Sequence, residues 1–184
     1  EQVGQYDYTS GRIMSQWNQY WTYGRIEARI KLPATKGMFP AFWMMPEGWS
    51  DPGWPMTGEI DIVESIDDAP FVTSTIHFGE IDQWGNHPSQ TTPHKTLPGG
   101  GSWGDDYHIY SVEWTPGSFE FFVDGVRNGS VITDWWTTYA PWPAPFNRDF
   151  FIIFNAAVGG WGANPDGTSD FPQRMYVDWV RVYQ

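Results

Sequence analysis

Alternation with a period of two residues is the feature that most restricts how this sequence can fold. From Tyr23 to Leu32, apolar residues at even positions alternate with polar or charged residues at odd positions, which indicates a long half-buried strand. Related segments lie at 107–114, 119–123 and 175–183, and a continuous apolar run at 150–158 indicates a buried strand. Asp124-Gly125 predicts a hairpin turn. Many short segments separated by Gly and Pro, with no helical stripe, predict an antiparallel β-sandwich.

Composition excludes several classes of function. With 22 acidic and 10 basic residues the net charge is −12, which repels phosphate backbones, so no nucleic-acid binding is expected. No run of about 18 apolar residues is present, so no membrane partner is expected. Because there is no Cys, there is no disulfide and no thiolate nucleophile. The 13 Trp exceed what a core can accommodate, so several rings are expected at a surface.

A run of three acids within an apolar strand is the clearest sign of chemistry. On a regular strand Glu59 and Asp61 share one face, whereas Glu64 would point to the other. One β-bulge near positions 62–63 would place all three on the same face, where like charges raise at least one pKa. Paired carboxyl groups of this kind are the equipment of glycoside hydrolysis. The alternatives are a solvated strand face and a calcium site at the three acids.

The run from Glu59 to Glu64 resembles the E-x-D-x-x-E signature of glycoside hydrolase family 16, in the bulged form typical of laminarinases, agarases and carrageenases. Other segments that resemble the laminarinase branch cover almost the whole chain: 8–13, 23–33, 39–46, 75–79, 107–116, 157–160 and 176–183. The resemblance implies one catalytic domain over 1–184, folded as a β-jelly roll with a cleft on a concave face. Family domains begin some tens of residues earlier, so the N-terminal strands of the family fold are expected to be missing.

The resemblance also implies a retaining endo-glycosidase. By position Glu59 would be the nucleophile and Glu64 the general acid/base, with Asp61 between them orienting Glu59. Retention needs the two carboxyl groups about 5–5.5 Å apart. Since Glu64 must begin the reaction protonated, its pKa is expected to lie above that of Glu59.

The substrate-binding side chains indicated by motif and parity are Trp43, Trp54, His77, Arg29, Arg25, Asn155, Trp84 and Trp161. Trp43 is expected to stack under a sugar near the cleaved bond, Trp54 to wall the cleft and His77 to face the substrate. Each has an alternative, which is packing for the aromatic and His side chains and cross-strand pairing for Arg and Asn.

Four further residues receive other assignments. Glu27 is expected to pair with the neighbouring arginines, and His87 and His94 are expected to be loop residues that bind no zinc. The family often carries a structural calcium, and Asp178 matches its side-chain ligand. No cofactor is expected to be required.

These observations predict a secreted, monomeric endo-β-1,3-glucanase (laminarinase) whose partner is a β-glucan polysaccharide. Two alternatives remain. One is a galactan-cleaving member of the same family, resembling agarases or carrageenases. It is disfavoured because no basic cluster for sulfate is evident. The other is a glucan-binding sandwich without catalysis, which is disfavoured because the acids are intact.

Overall fold

The strands of this protein form two antiparallel sheets in a computed structural model that describes residues 7–184. The twelve strands are β1 (Arg12–Met14), β2 (Gly24–Lys31), β3 (Met38–Pro46), β4 (Glu59–Glu64), β5 (Phe71–His77), β6 (Ser89–Thr91), β7 (Lys95–Thr96), β8 (His108–Thr115), β9 (Ser118–Val123), β10 (Val126–Arg127), β11 (Phe150–Val158) and β12 (Tyr176–Tyr183). Within the described residues there is no helix long and apolar enough to cross a bilayer.

Seven strands form one sheet in the order β1-β11-β3-β4-β5-β6, with β7 also pairing with β5. The other five form a sheet in the order β10-β9-β8-β2-β12. Because every pairing of these strands is antiparallel and one core cluster draws buried residues from both sheets, the predicted antiparallel β-sandwich is confirmed.

The core between the sheets follows the period-two pattern of the sequence. Ile26, Ala28 and Ile30 of β2 are fully buried, and they face Phe42 of β3 and its neighbours in the same cluster. Each fully buried Ile or Phe side chain contributes about 1.5–3 kcal/mol relative to exposure. Alternation in β2 therefore directs one face into the core and leaves its charged residues on the outside.

Strand β11 is apolar on both faces. Phe150, Ile152 and Phe154 belong to the core between the sheets. Phe151 and Ile153 point the other way and form a second apolar cluster with Met45, against which Tyr20 and Trp43 pack. We call this side of the seven-stranded sheet, which also carries Glu59, Asp61 and Glu64, the carboxylate face.

The predicted hairpin turn at Asp124-Gly125 is confirmed. Both residues have positive φ angles, 51° and 74°, and Val123 pairs with Val126 across the turn. Two successive positive φ angles match the twist of the flanking strands, which is why Asp-Gly is favoured here.

Candidate active site

A β-bulge in β4 brings the three acids onto one face. On β5, Asp61 lies opposite Thr75 and Glu64 lies opposite Thr73, so three steps along β4 match two along β5. The extra residue falls at 62–63, where both side chains are buried in the core cluster. The bulge near 62–63, predicted because regular alternation would point Glu64 away from Glu59 and Asp61, is therefore confirmed.

The three carboxyl groups are poorly hydrated, since Asp61 is only 2% exposed and its two neighbours are half-buried. Burial is the largest cause of the raised pKa of all three. It raises the pKa of Glu59 to about 8, with the charge of Asp61 adding to it. It raises the pKa of Asp61 well above its usual range, and that of Glu64 to about 7. Protons are thus held on this face at neutral pH.

The pKa of Glu59, about 8, lies above that of Glu64, about 7. The roles implied by the family resemblance led us to expect the opposite order, with the pKa of Glu64 the higher. After burial, the strongest influence on Glu59 is the neighbouring charge of Asp61, which raises its pKa. For Glu64 the corresponding influence is the charge of His77, which lowers its pKa. The Glu59–Asp61 pair therefore holds a proton as firmly as Glu64 does, and any use of Glu59 as a carboxylate needs that proton to reside on Asp61.

The predicted residues Trp54 and His77 both reach the carboxyl groups. His77 lies opposite Glu59 in the sheet, and its Nε2 is 3.2 Å from Asp61 Oδ2. The Trp54 side chain hydrogen-bonds to Glu59, as its indole N–H is the only donor it carries, and this bond lowers the Glu59 pKa. Both residues therefore lie at the Glu59 end of the carboxylate run.

His87 is a site residue that sequence reasoning missed. Its Nε2 lies 2.8 Å from His77 Nδ1, and its ring packs edge-on against Trp54 at 4.4 Å between centroids. His87 lies in the β5–β6 connection, ten residues after His77. It does lie in a loop, as predicted, but only the folded loop shows that it contacts the site.

Trp43 lies on the carboxylate face with two polar neighbours. Its indole Nε1–H donates to Asn155 Oδ1 at 2.7 Å, and Asn155 Nδ2 donates to the carbonyl of Phe39 at 3.0 Å. The Arg12 guanidinium lies over the Trp43 ring at 4.9 Å. Asn155 thus holds the Trp43 ring in place, and Arg12 is a cation on this face that the sequence did not indicate.

The two outer aromatic candidates are highly exposed. Trp161 is 73% exposed and stacks on Phe39 of β3. Phe39 lies two residues before Ala41, the residue that pairs with Glu64. Trp84 is 77% exposed and belongs to the same loop as His87, where its backbone N–H donates to Asp82. Both rings are open to solvent, as a sugar platform requires.

Arg25 and Arg29 are not at this site, so their assignment as substrate-binding residues is wrong. Both lie in β2 of the five-stranded sheet, on the outer side of that sheet because their even-numbered neighbours fill the core. Arg25 pairs with Glu27 at 3.0 Å and with Glu113 at 2.8 Å. The expectation that Glu27 would pair with arginine is confirmed, and we call this outer side the paired face.

Asp178 also lies at the paired face. It is the extra residue of a bulge in β12, and its carboxylate pairs with the Arg29 guanidinium at 2.8 Å. Calcium takes 6–8 oxygen ligands. Among residues 7–184, no cluster of three His, Asp or Glu side chains that could hold a metal includes Asp178, whose carboxylate is paired with Arg29 instead, and calcium at this position stays a prediction. The one such cluster is Glu59, Asp61 and His77, whose ligand atoms lie within 4.8 Å of one another.

The sequence is also similar to known proteins. A family model described as "Beta-porphyranase A-D, GH16 domain" matches residues 1–184. Glucan endo-1,3-beta-glucosidase A1 of Niallia circulans is 39% identical over 183 residues, which is 96% of this chain and 26% of that protein. Beta-glucanase of Rhodothermus marinus is 35% identical over 189 residues, covering 97% of this chain and 63% of its own length. The chain thus spans less than two thirds of either relative.

Solved structures show the same relationship. The laminarinase catalytic domain of Thermotoga maritima matches with a TM-score of 0.85 and 37% identity, over 100% of this chain and 74% of that one. The full-length family match, the identity to glucanases and the jelly-roll sandwich lead to one conclusion: the chain belongs to the GH16 family of glycoside hydrolases.

Proposed function

We propose that this chain is a retaining endo-β-1,3-glucanase that cleaves laminarin-type glucans with Glu59 as nucleophile and Glu64 as general acid/base. The observation that supports this best is the bulged β4, which presents three poorly hydrated carboxyl groups on one face. Burying like charges is costly, so such a row is retained where its protons are used.

The chemistry follows from the two outer carboxyl groups. In the first step Glu59 carboxylate attacks the anomeric carbon, and Glu64 gives its proton to the glycosidic oxygen as the carbon–oxygen bond breaks. In the second step Glu64, now ionised, takes a proton from water. The water oxygen forms a bond to the anomeric carbon and displaces Glu59, which restores both groups.

Asp61 and Trp54 support the nucleophile in this proposal. The hydrogen bond between Glu59 and Asp61 raises the pKa of Glu59 and lowers that of Asp61, so in the free chain it favours the proton on Glu59. Attack by Glu59 as a carboxylate requires that proton to move to Asp61, which then donates to Glu59. The Trp54 indole N–H is a second donor to Glu59. Two donors hold the reacting oxygen atoms in one orientation, and such positioning lowers the barrier of a substitution.

A neutral glucan suits the surroundings of these acids. Trp84 and Trp161 are exposed rings against which sugars can stack, and Trp54 stands at the nucleophile end. Trp43 is half-buried on the same face as the acids, with Arg12 over its ring, and we assign it to the sugar nearest the cleaved bond. These binding roles are part of the proposal. A single catalytic domain, a monomeric state and secretion stay predictions of the sequence.

The test is a panel of polysaccharides: laminarin, lichenan, agarose, porphyran and xyloglucan, with new reducing ends measured for each. The proposal expects laminarin to be cleaved fastest and the Glu59→Ala variant to release nothing above background. Binding of laminarin with no new reducing ends would instead identify a glucan-binding sandwich, and full activity of Glu59→Ala would overturn the assignment of the nucleophile.

Galactan cleavage is the second candidate, and two observations favour it. The matching family model carries the name of porphyranases, and Arg12 places a cation over Trp43 on the carboxylate face. A guanidinium at that position would suit a sulfated sugar. The Arg12→Gln variant separates the candidates, because it would weaken cleavage of porphyran and leave cleavage of laminarin within twofold of the parent.

A further inference from the structure

Two histidines and a carboxyl group form a continuous polar chain at the nucleophile end of the site. His77 Nε2 is 3.2 Å from Asp61 Oδ2, and His77 Nδ1 is 2.8 Å from His87 Nε2. The chain runs from the β5–β6 connection, through β5, to the middle of β4. It therefore links a loop residue with the group that shares a hydrogen bond with Glu59.

The protons along this chain are restricted by what an imidazole can do. A neutral imidazole has one N–H donor and one acceptor nitrogen. Asp61 Oδ2 is fully buried and makes no aligned hydrogen bond, since His77 approaches it without ideal geometry. A buried oxygen is costly to leave without a donor, so Nε2 is the His77 nitrogen that should carry the proton.

If His77 Nε2 donates to Asp61, Nδ1 is the acceptor in the neutral ring. The 2.8 Å contact then requires His87 Nε2–H to donate to His77 Nδ1. Burial of His87 is the largest cause of its lowered pKa, and it favours the neutral His87 ring that this arrangement needs. All donors along the chain then point toward Asp61.

His87 is held in place for this task by its loop. The backbone N–H of Phe78 donates to the carbonyl of Pro88 at 3.2 Å, which closes the base of the connection around His87. Inside it, the backbone N–H of Asp82 donates to the carbonyl of Asn86 at 2.8 Å. On its other side the His87 ring packs against Trp54, so its position is defined by packing as well as by hydrogen bonding.

We propose that His87 is a positioning residue that fixes the tautomer of His77, so that His77 Nε2–H points at Asp61 and the Asp61 proton is left to orient Glu59. The expected loss of kcat rests on the proposed hydrolytic function. The tautomer of His77 does not, because it can be observed in the free protein. The groups that face His77 are Glu59, Asp61 and Glu64 of β4 and His87 of the loop, with the Trp54 ring beside them.

The test compares two variants of the 184-residue chain with a matched control. His87→Leu fills the space without a donor, whereas His87→Gln keeps an Nε2 donor at a comparable distance. His94→Leu is the control, because His94 stacks on Phe71 and makes no contact with the acids. The first readout is the ¹⁵N spectrum of the imidazoles in the free protein, which reports the protonated nitrogen of His77 without any substrate.

In the parent chain the ¹⁵N spectrum should show His77 protonated at Nε2 and unprotonated at Nδ1. His87→Leu should give a mixture of tautomers and lower kcat about tenfold with KM within twofold, since the substrate contacts are untouched. His87→Gln should restore both readouts. His77 protonated at Nδ1 in the parent, or an unchanged tautomer in His87→Leu, would overturn the proposal. An inactive parent with the expected tautomer would instead overturn the proposed function alone.

Discussion

The two outer faces of the sandwich both carry rows of charged residues, but the surroundings of those charges differ. On one face opposite charges are paired, whereas on the other like charges lie together. On the paired face Arg25 is shared by two glutamates and Arg29 is matched by Asp178, with most of these groups open to water. On the carboxylate face three acids lie side by side, and His77 is the basic group in contact with them among the residues described.

The difference shows why a charge row alone does not identify a site. Exposed ion pairs contribute about 0–1 kcal/mol each. Buried like charges raise one another's pKa and hold protons at neutral pH, which is what acid–base chemistry uses. The comparison predicts that equivalent substitutions on the two faces will have unequal effects.

The largest effect is expected for Glu59→Ala. Removal of the nucleophile should lower kcat/KM on laminarin by on the order of 10⁴-fold, measured by release of reducing ends. The matched control is Glu113→Ala, which removes an acid from the paired face and should keep activity within twofold. Equal losses in the two variants would remove the distinction between the faces.

Glu64→Gln should have a smaller effect that depends on the leaving group. The amide cannot donate a proton to the departing oxygen, so hydrolysis of laminarin should fall by about 10²–10³-fold. An aryl β-glucoside with an acidic phenol departs without that proton, and its first step should slow by less than about tenfold. Equal losses on both substrates would contradict the acid/base role.

A pH-dependent stability difference is expected for Glu59→Gln. The pKa of Glu59 is raised to about 8 in the folded chain, whereas the unfolded chain has the ordinary value near 4.5. The folded state therefore binds more protons than the unfolded state between these pH values. The contribution of Glu59 to the free energy of unfolding is thus fully present below pH 4.5 and is lost as pH rises toward 8. A neutral amide removes this loss.

The Glu59→Gln variant should consequently melt above the parent at pH 8.5, by about 2–4 °C, and the gap should shrink at pH 4.5. Thermal unfolding followed by near-ultraviolet circular dichroism at both pH values measures it. A gap that grows toward acid pH would show that burial does not raise the pKa of Glu59.

The smallest effect is expected for Arg29→Gln on the paired face. The Arg29–Asp178 pair is solvent-accessible, so its loss should cost less than about 1 kcal/mol and leave kcat/KM on laminarin unchanged within twofold. A marked rise in KM would restore Arg29 as a substrate-binding residue, against its position in the second sheet.

The sequence predicted local structure well where periodicity determines it. The bounds of β11 at 150–158, the Asp124-Gly125 turn and the bulge near 62–63 all follow from alternation and turn chemistry. Parity states which face of its own strand a residue occupies, but not which sheet the strand joins. Arg25 and Arg29 were misassigned for that reason.

Contacts between a loop and a sheet could not be predicted either. His87 reaches His77 only because the β5–β6 connection folds back, and no periodic pattern encodes that approach. The order of the Glu59 and Glu64 pKa values depends on burial and on which charges lie closest, both of which require the folded structure.

Covalent trapping of the nucleophile tests the central proposal most directly. A 2-deoxy-2-fluoro-β-laminaribiosyl fluoride slows the second displacement, so a glycosyl-enzyme accumulates and its position can be read by peptide mass spectrometry. A single ester is expected on Glu59, and none in the Glu59→Gln variant. An ester on Asp61 or Glu64, or release of a product of inverted configuration without any ester, would contradict it.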